Sequence, residues 1–285
     1  MGSRMAAHVA RAGYPLTVWN RTAETAREWA DEHGAAVAAT AREVAAASDI
    51  VVTMVADADA VRAVLLGPDG VVAGAAPGLL CVDMSTIGTA ATLEIGAQLA
   101  DAGLELLDAP VTGSAPRAQD GTLTIMAGGS PSAFERARPL LQTMGKLIVH
   151  AGPLGQGQAV KVINNAVAAA NAVTVAEALI AASAEGVDLD ALVQVMRAGS
   201  GGSAMLELKA APMREHDFAP LFKLDHMLKD VRLCLDAADA AGVPFTSAQR
   251  AAALLADAAA AGHGQDDFVA VLTALERLSG HTISS

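Results

Sequence analysis

The stretch Gly155-Gln156-Gly157-Gln158-Ala159-Val160-Lys161-Val162-Ile163-Asn164-Asn165 decides how the chain is read. Pro153 and two glycines open it, and a long helix-forming run follows through Glu177 and Ala184 to Gly186. Lys161, Asn164 and Asn165 stand at i, i+3 and i+4, so one helix face carries all three, and Asn171 extends the stripe. A helix of about 28 residues would be about 42 Å long. Lys161 falls near its first turn, where a cation opposes the positive end of the macrodipole. Partial burial would also disfavour the charge. Both effects lower the pKa expected of this lysine, and a lysine that shares its proton readily suits general acid/base chemistry. The same spacing also fits a solvated lysine among polar residues at a helix start.

Upstream of this stretch, strands alternate with helices. Strands are expected over 16–20, 35–38, 50–55, 79–83, 104–108, 123–127 and 146–149. Helices are expected over 1–13 (closed by Gly13), 22–33, from Thr40, and over 57–66, 89–102 and 131–144. That alternation means βαβ units and a mostly parallel sheet. After residue 149 the pattern changes to amphipathic helices near 157–185, 188–198, 203–211, 222–241, 246–261 and 266–278. The expected organisation is a Rossmann-type α/β domain over 1–153 and an all-α domain over 154–285. Lys161, just past that boundary, is expected to face the cleft between the domains, where small-molecule sites commonly lie.

The front of the chain is unusual. A dinucleotide fold opens with a strand, then G-x-G-x-x-G, then a helix. Here the helix is present, Gly2 stands where the third glycine belongs, and the first strand and first two glycines are missing. That strand is central in such sheets, so its loss would expose ladder edges and remove part of the phosphate loop. The expectation is a chain truncated at its front or a start assigned too far downstream. The strand that ends in Asn20-Arg21-Thr22 falls where a ribose-recognition residue is expected. An acidic residue there would accept a 2′-hydroxyl; a guanidinium flanked by two hydrogen-bonding side chains instead suits a 2′-phosphate. This favours NADP, with NAD as the other cofactor. A plain turn and helix cap explains the same three residues.

Bulk properties bound the partners. The formal charge of −12 argues against nucleic acid and anionic membrane, so any anionic ligand must meet local positive charge. Apolar residues make up 53% and aromatics 3%, which suits helices packed through small side chains. Cys81 and Cys234 read as buried thiols of a reducing, cytoplasmic compartment. No CxxC or close histidine pair suggests a metal. No signal peptide is evident, and the apolar runs are broken before a clean membrane span.

Three further clusters carry polar groups. Asp108-Ala109-Pro110-Val111-Thr112-Gly113-Ser114 follows a strand, and Thr112, Gly113 and Ser114 offer hydroxyls and backbone N–H groups to a carboxylate. Asp83-Met84-Ser85-Thr86 ends another strand; Ser85 and Thr86 either touch a ligand or cap the next helix. Asp225 and Lys229 form an i,i+4 pair, and the other reading sends Lys229 into the cleft.

Together these motifs resemble the β-hydroxyacid dehydrogenase family, which includes 3-hydroxyisobutyrate dehydrogenase, tartronate semialdehyde reductase and the glyoxylate/succinic semialdehyde reductases. The likeness rests on G-x-G-x-x-x-K-x-x-N at Gly155, Gly157, Lys161 and Asn164, on the loop that begins Asp108-Ala109-Pro110-Val111-Thr112-Gly113, with threonine where serine is common, and on Lys229-Asp230. The resemblance implies 6-phosphogluconate dehydrogenase-like domains and homodimers or homotetramers formed through the helical domain. It implies Lys161 as general acid/base in the interconversion of a small β-hydroxyacid and its aldehyde. Asn165, or Asn164, would orient the substrate. Thr112, Gly113 and Ser114 would bind its carboxylate, and Lys229 would stand near the reacting centre. Gly2, Asn20, Arg21, Thr22, Met54, Val55 and Ala56, with Thr86 and Lys229, would border the cofactor. Ser85 or Thr86 would lie by the nicotinamide. Two other readings remain: a non-catalytic remnant that only dimerises, and an imine reductase. Relatives of the imine-reducing kind generally lack the lysine.

Overall fold

The structure is a computed structural model and describes residues 1–283. It contains two compact units, Met1–Lys161 and Val162–Ser285. In chain order the first holds α1 (Gly2–Arg11), β1 (Thr17–Val18), α2 (Ala23–His33), β2 (Ala36–Val37), α3 (Ala41–Ala46), β3 (Ile50–Thr53), α4 (Ala58–Leu66) and α5 (Val71–Gly74). There follow β4 (Leu80–Asp83), α6 (Thr89–Asp101), β5 (Glu105–Asp108), β6 (Val111–Thr112), α7 (Ser114–Asp120), β7 (Leu123–Gly128), α8 (Pro131–Leu141) and β8 (Gly145–Gly152). The first turn and a half of α9 (Gln156–Ala184) completes the unit.

Local chemistry sets these boundaries. Thr40, Asp57 and Ser130 each accept a hydrogen bond from the backbone N–H three residues on, which caps α3, α4 and α8. Gly34 closes α2 in the left-handed conformation. β3, β4 and β5 are parallel neighbours; β7 runs antiparallel to β5 and β6, and β8 runs parallel to β7. Both faces of the central strands β4 and β5 are covered. Leu80, Val82 and Leu107 pack with Met5, Val9, Phe134 and Leu140. Cys81 and Leu106 point the other way and pack with Val61, Leu65, Ile95 and Leu99. Strands buried on both faces are the signature of a helix-covered α/β sheet.

The sheet is in two pieces. β1 and β2 form a separate parallel pair, and β3 lies at the edge of the larger sheet. Among the described residues no strand precedes α1 or joins the two pieces. Val52, in the middle of β3, is exposed. β1 and β2 are only two residues each, shorter than the five- and four-residue strands expected, because a strand ladders only where it has a neighbour. The short α5, β6 and α7 were not expected from the sequence; each is too brief to show a period.

The second unit is helical among its described residues. α10 (Leu189–Ala198), α11 (Ala204–Glu215), α12 (Leu224–Ala240) and α13 (Thr246–Ala258) follow the rest of α9. A π-helical turn at Ala259–His263 and a 3-10 turn at Phe268–Ala270 lead into α14 (Val271–Ser279). From Val162 onward α9 buries Val162, Ala166, Ala169, Val173, Ala176 and Leu179. Its alanines let neighbouring helices close onto it, which is how a core so poor in aromatics is filled. Of the described helices, α9 alone is long and apolar enough to cross a membrane, yet 44% of its most apolar stretch is buried in the folded chain.

One buried ion pair ties this unit together. Asp267 Oδ1 accepts from Lys209 Nζ at 2.8 Å and from Val269 N at 3.1 Å. Its Oδ2 accepts from the backbone N–H groups of Leu221 and Phe222 at 2.9 and 3.0 Å. Lys209 also lies over the Phe268 ring, 4.7 Å from its centre. Removing one partner of such a pair leaves a buried charge uncompensated. Asp267→Ala is therefore expected to destabilise the helical unit by about 3–5 kcal/mol. Denaturant unfolding measures this, and a loss no larger than that of a surface substitution would contradict it.

Candidate active site

Strand register lines up three polar residues at the carboxyl ends of the parallel strands: Thr53 pairs with Asp83, and Asp83 with Asp108. Thr53 Oγ1 donates to Asp83 Oδ1 at 2.6 Å, and Ser85 N donates to the same oxygen at 3.2 Å. Burial pushes the Asp83 carboxyl above its ordinary range, and the hydrogen bonds from Thr53 and Ser85 only partly oppose this. Ser85 is itself fully buried, and its Oγ accepts from Val55 N at 2.9 Å. The Ser85 hydroxyl is thus engaged within the protein. It joins the ends of β3 and β4, while the next residue, Thr86, is partly exposed.

Asp108 does a helix-capping job from a distant strand. Its Oδ1 accepts from Gly155 N and its Oδ2 from Gln158 N, each at 2.7 Å. These are N–H groups at the start of α9, where Gly155 has no side chain to cap them. Space for the carboxylate comes from two glycines. A Cβ on Gly128 would lie 2.5 Å from Asp108 Oδ1, and one on Gly157 would lie 2.6 Å from Oδ2. Burial raises the Asp108 pKa to about 6 against the two backbone hydrogen bonds, which favour the ionised form.

Gln158 is the next link. Its Oε1 accepts from Ile87 N at 3.0 Å and Gly88 N at 3.1 Å, and its Nε2 donates to Ser85 O at 2.8 Å. The loop that carries Thr86 is thus held by the residue three places before Lys161. Lys161 is 7% exposed, so its ammonium stem is packed rather than solvated. Asp108 and Gln158 fasten the start of α9 to the sheet, and the first compact unit includes the chain through Lys161. Sequence reasoning passed over the roles of both residues. An Asp at a strand end and a Gln at a helix start are ordinary, and their partners lie about 50 and 70 residues away.

In the second unit, Asn165 is buried and Asn164 exposed. Asn165 Nδ2 donates to Asp230 Oδ2 at 2.7 Å, and Asn164 Nδ2 donates to Asn165 Oδ1 at 3.2 Å. Asp230 Oδ1 is 2.8 Å from Lys229 Nζ. His226, one turn earlier on α12, is held below the ordinary imidazole range by burial first and then by the Lys229 charge. Lys229 and Asp230 thus lie with Asn165, and Asp225 Oδ2 accepts from Gln265 Nε2 at 3.0 Å.

Thr112, Gly113 and Ser114 lie together at the join of β6 and α7, partly exposed. Gly113 has φ +131° and Ser114 φ +56°, the latter uncommon for a residue with a side chain. Strain of this kind is typical of ligand-holding turns. At the far end of the sheet, Gly2 starts α1 beside Met54, the residue after β3. Met54, Val55 and Ala56 are partly or fully exposed there. Asn20 Oδ1 accepts from Thr22 N at 2.9 Å, Arg21 is exposed, and the Thr22 hydroxyl does not cap α2. The first turn of α1 holds no acidic residue and no capping side chain. These N–H groups, one guanidinium and one hydroxyl are a donor set that fits nucleotide phosphates. No group of three His, Cys, Asp or Glu that could hold a metal occurs among the described residues.

A covered α/β sheet with polar loops at its strand ends, followed by a helical unit, is the frame of a dinucleotide-binding protein, and the family models and relatives that match it make the chain an oxidoreductase acting on CH–OH groups with NADP or NAD as cofactor. Two family models match the chain: the NAD binding domain of 6-phosphogluconate dehydrogenase over residues 1–152, and the NAD-binding region of NADP-dependent 3-hydroxyisobutyrate dehydrogenase over 155–275. The chain is 37% identical to 2-hydroxy-3-oxopropionate reductase of Escherichia coli K12 over 100% of its own length and 97% of the relative. It is 36% identical to 2-(hydroxymethyl)glutarate dehydrogenase of Eubacterium barkeri, over 85% of this chain and 81% of that one. A solved 3-hydroxyisobutyrate dehydrogenase of Mycobacterium tuberculosis, with L-serine, superposes with a TM-score of 0.88 at 35% identity, covering 96% and 95% of the two chains. The chain belongs to the β-hydroxyacid dehydrogenase family.

The raised Asp108 pKa has a sign that can be checked. Between pH 4 and 6 the folded chain holds the Asp108 proton more tightly than the unfolded chain, so this residue makes stability fall as pH rises through that window. In Asp108→Asn that component disappears. Relative to the parent, the variant is expected to gain stability from pH 4 to pH 6, by at most about 1.4 kcal/mol per pH unit. Denaturant titrations at pH 4, 5, 6 and 7 measure the difference, and a difference that does not change with pH would refute it.

Proposed function

We propose that the chain catalyses NADPH-preferring reduction of a small carboxylated aldehyde, equivalently oxidation of a β-hydroxyacid, with Lys161 as general acid/base. The observation that carries this is a lysine 7% exposed, held on a helix whose start is fastened to the carboxyl ends of the sheet. A reduced nicotinamide bound there would supply the hydride for the carbonyl carbon. Lys161 Nζ hydrogen-bonds the carbonyl oxygen and protonates it as negative charge develops there; in the oxidative direction it takes that proton back. Asn165, its amide fixed by Asp230, orients the substrate oxygen, with Asn164 behind it. Thr112 and the Gly113 and Ser114 N–H groups hold the carboxylate. Thr86 borders the nicotinamide, and Lys229 adds positive charge. Gly2, Met54, Val55 and Ala56 line the dinucleotide.

The relatives' names support small anionic aldehydes as the substrate class. They include 2-hydroxy-3-oxopropionate reductase and 3-sulfolactaldehyde reductase. They do not decide the cofactor, since one is named as an NAD-dependent L-serine dehydrogenase. The NADP preference rests on Arg21, Asn20 and Thr22, with no acidic residue among the three. We assign a cytoplasmic homodimer or homotetramer. Burial raises the Cys81 thiol to about 12 and also raises that of Cys234, as suits unreactive thiols. The exposed Ile163 and Val167 give α9 an apolar face for a second copy.

Two outcomes test this reading. Lys161→Ala is expected to lower turnover by about 100-fold or more with glyoxylate, succinic semialdehyde or tartronate semialdehyde. Turnover equal to the parent's would remove Lys161 from the mechanism. Arg21→Ala is expected to raise the KM for NADPH by about 10-fold or more, as loss of a charge-assisted phosphate contact implies, while leaving that for NADH within about 2-fold. Equal shifts for the two cofactors would show that Arg21 does not read the 2′-phosphate.

A further inference from the structure

We infer that Asp108 and Gln158 are positioning residues that set where Lys161 stands relative to the Thr86 loop, so that the proton donor and the nicotinamide-bordering loop move as one body. The inference rests on the reading of Lys161 as the proton donor.

Gln158 and Lys161 are three residues apart on α9, which places them on the same side of the helix. The side chain of Gln158 makes three hydrogen bonds, all to backbone of residues 85–88, and it is fully buried. One amide thereby satisfies two N–H groups and one carbonyl of the loop that carries Thr86. The backbone N–H of the same residue goes to Asp108, whose other oxygen holds Gly155. The first turn of α9 is therefore fixed at two places, to the end of β5 through Asp108 and to the segment after β4 through Gln158. The same turn also meets the β7 end closely, because a Cβ on Gly157 would press on Met126 O. No side chain in this arrangement is needed to touch substrate. What it determines is the separation of two groups that do. Reaction between positioned groups is steep in distance: a displacement of about 1 Å costs on the order of 100-fold.

The arrangement also explains why the three bonds belong to a glutamine. The loop presents two donors and one acceptor within reach of one side chain, and only a carboxamide offers an acceptor oxygen and a donor nitrogen together at that length. A leucine or methionine would fill the volume and leave two buried N–H groups and a carbonyl unsatisfied.

The test uses the full chain and Gln158→Met, with Asp108→Asn as a second variant that keeps an acceptor. Turnover is expressed per folded molecule, the folded fraction being read from the unfolding transition. Gln158→Met is expected to lower kcat by about 10-fold or more while the KM values for aldehyde and NADPH stay within about 3-fold. Asp108→Asn should show the same split with a smaller loss. In the free protein, hydrogen exchange at Ile87 and Gly88 should speed by about 10-fold or more in Gln158→Met, with β4 unchanged. A kcat per folded molecule within about 2-fold of the parent overturns the inference when Lys161→Ala is inactive. So does a change in KM without one in kcat. If Lys161→Ala retains full activity, the functional reading fails and exchange alone decides: unchanged protection at Ile87 and Gly88 also removes the brace, and local loss of protection supports it.

Discussion

The carboxylate of Asp108 is the group around which the first unit is arranged. It is buried, and burial of a charged oxygen pair is costly unless hydrogen bonds offset it. The bonds come from Gly155 N and Gln158 N, donors that α9 would otherwise leave unpaired at its start. Each side thus solves the other's problem. The carboxylate gains donors without a counter-cation, and the longest helix gains a cap it has no local residue to supply. The requirement spreads to the neighbours. Gly128 and Gly157 must lack a side chain, and β5 must end where it does for the carboxylate to arrive. The start of α9 is held in the first compact unit by these bonds.

Much of this was legible because it is periodic or local. The alternation of apolar strands with helical runs gave the α/β order. The Gly155 to Asn165 spacing gave a helix with Lys161 near its start. The Thr40, Asp57 and Pro131 signals gave helix beginnings close to those found. What could not be read depends on partners far along the chain. Asn165 with Asp230 spans 65 residues, and Lys209 with Asp267 spans 58. Nothing in either local sequence names the other. Ser85 shows the limit most clearly. A hydroxyl just after a strand is where a ligand contact belongs, but it is equally where two strand ends need a polar link, and here the link uses it. Asn164 and Asn165 were inseparable by spacing; burial separates them, since only Asn165 reaches Asp230.

The divided sheet shows how far a ladder depends on its middle. β1 and β2 pair over two residues, and β3 leaves Val52 exposed on its face. Yet the polar array from Thr53 through Asp83 to Asp108 is intact. It is built from β3, β4 and β5, which pair continuously. The residues proposed for the dinucleotide, at α1 and β1, and the lysine proposed for proton transfer, on α9, thus draw on different parts of the sheet.

Charge explains the choice of donors. A chain of net charge −12 would repel at long range both a phosphorylated cofactor and the carboxylated substrate proposed for it. Attraction must therefore come from groups placed within a few ångströms, where geometry outweighs the screened field of the whole molecule. Several of the groups assigned here are neutral donors: backbone N–H at Gly2, Gly113 and Ser114, the hydroxyls of Thr22 and Thr112, and the amide of Asn165. Neutral donors carry no counter-charge that must be neutralised in the free enzyme. Two of the negative groups nearest the strand ends, Asp83 and Asp108, both have raised pKa values, so each holds its proton to higher pH than an exposed carboxyl. That reduces the repulsion an incoming carboxylate would meet, and it does so most in the mildly acidic range where Asp108 is still partly protonated.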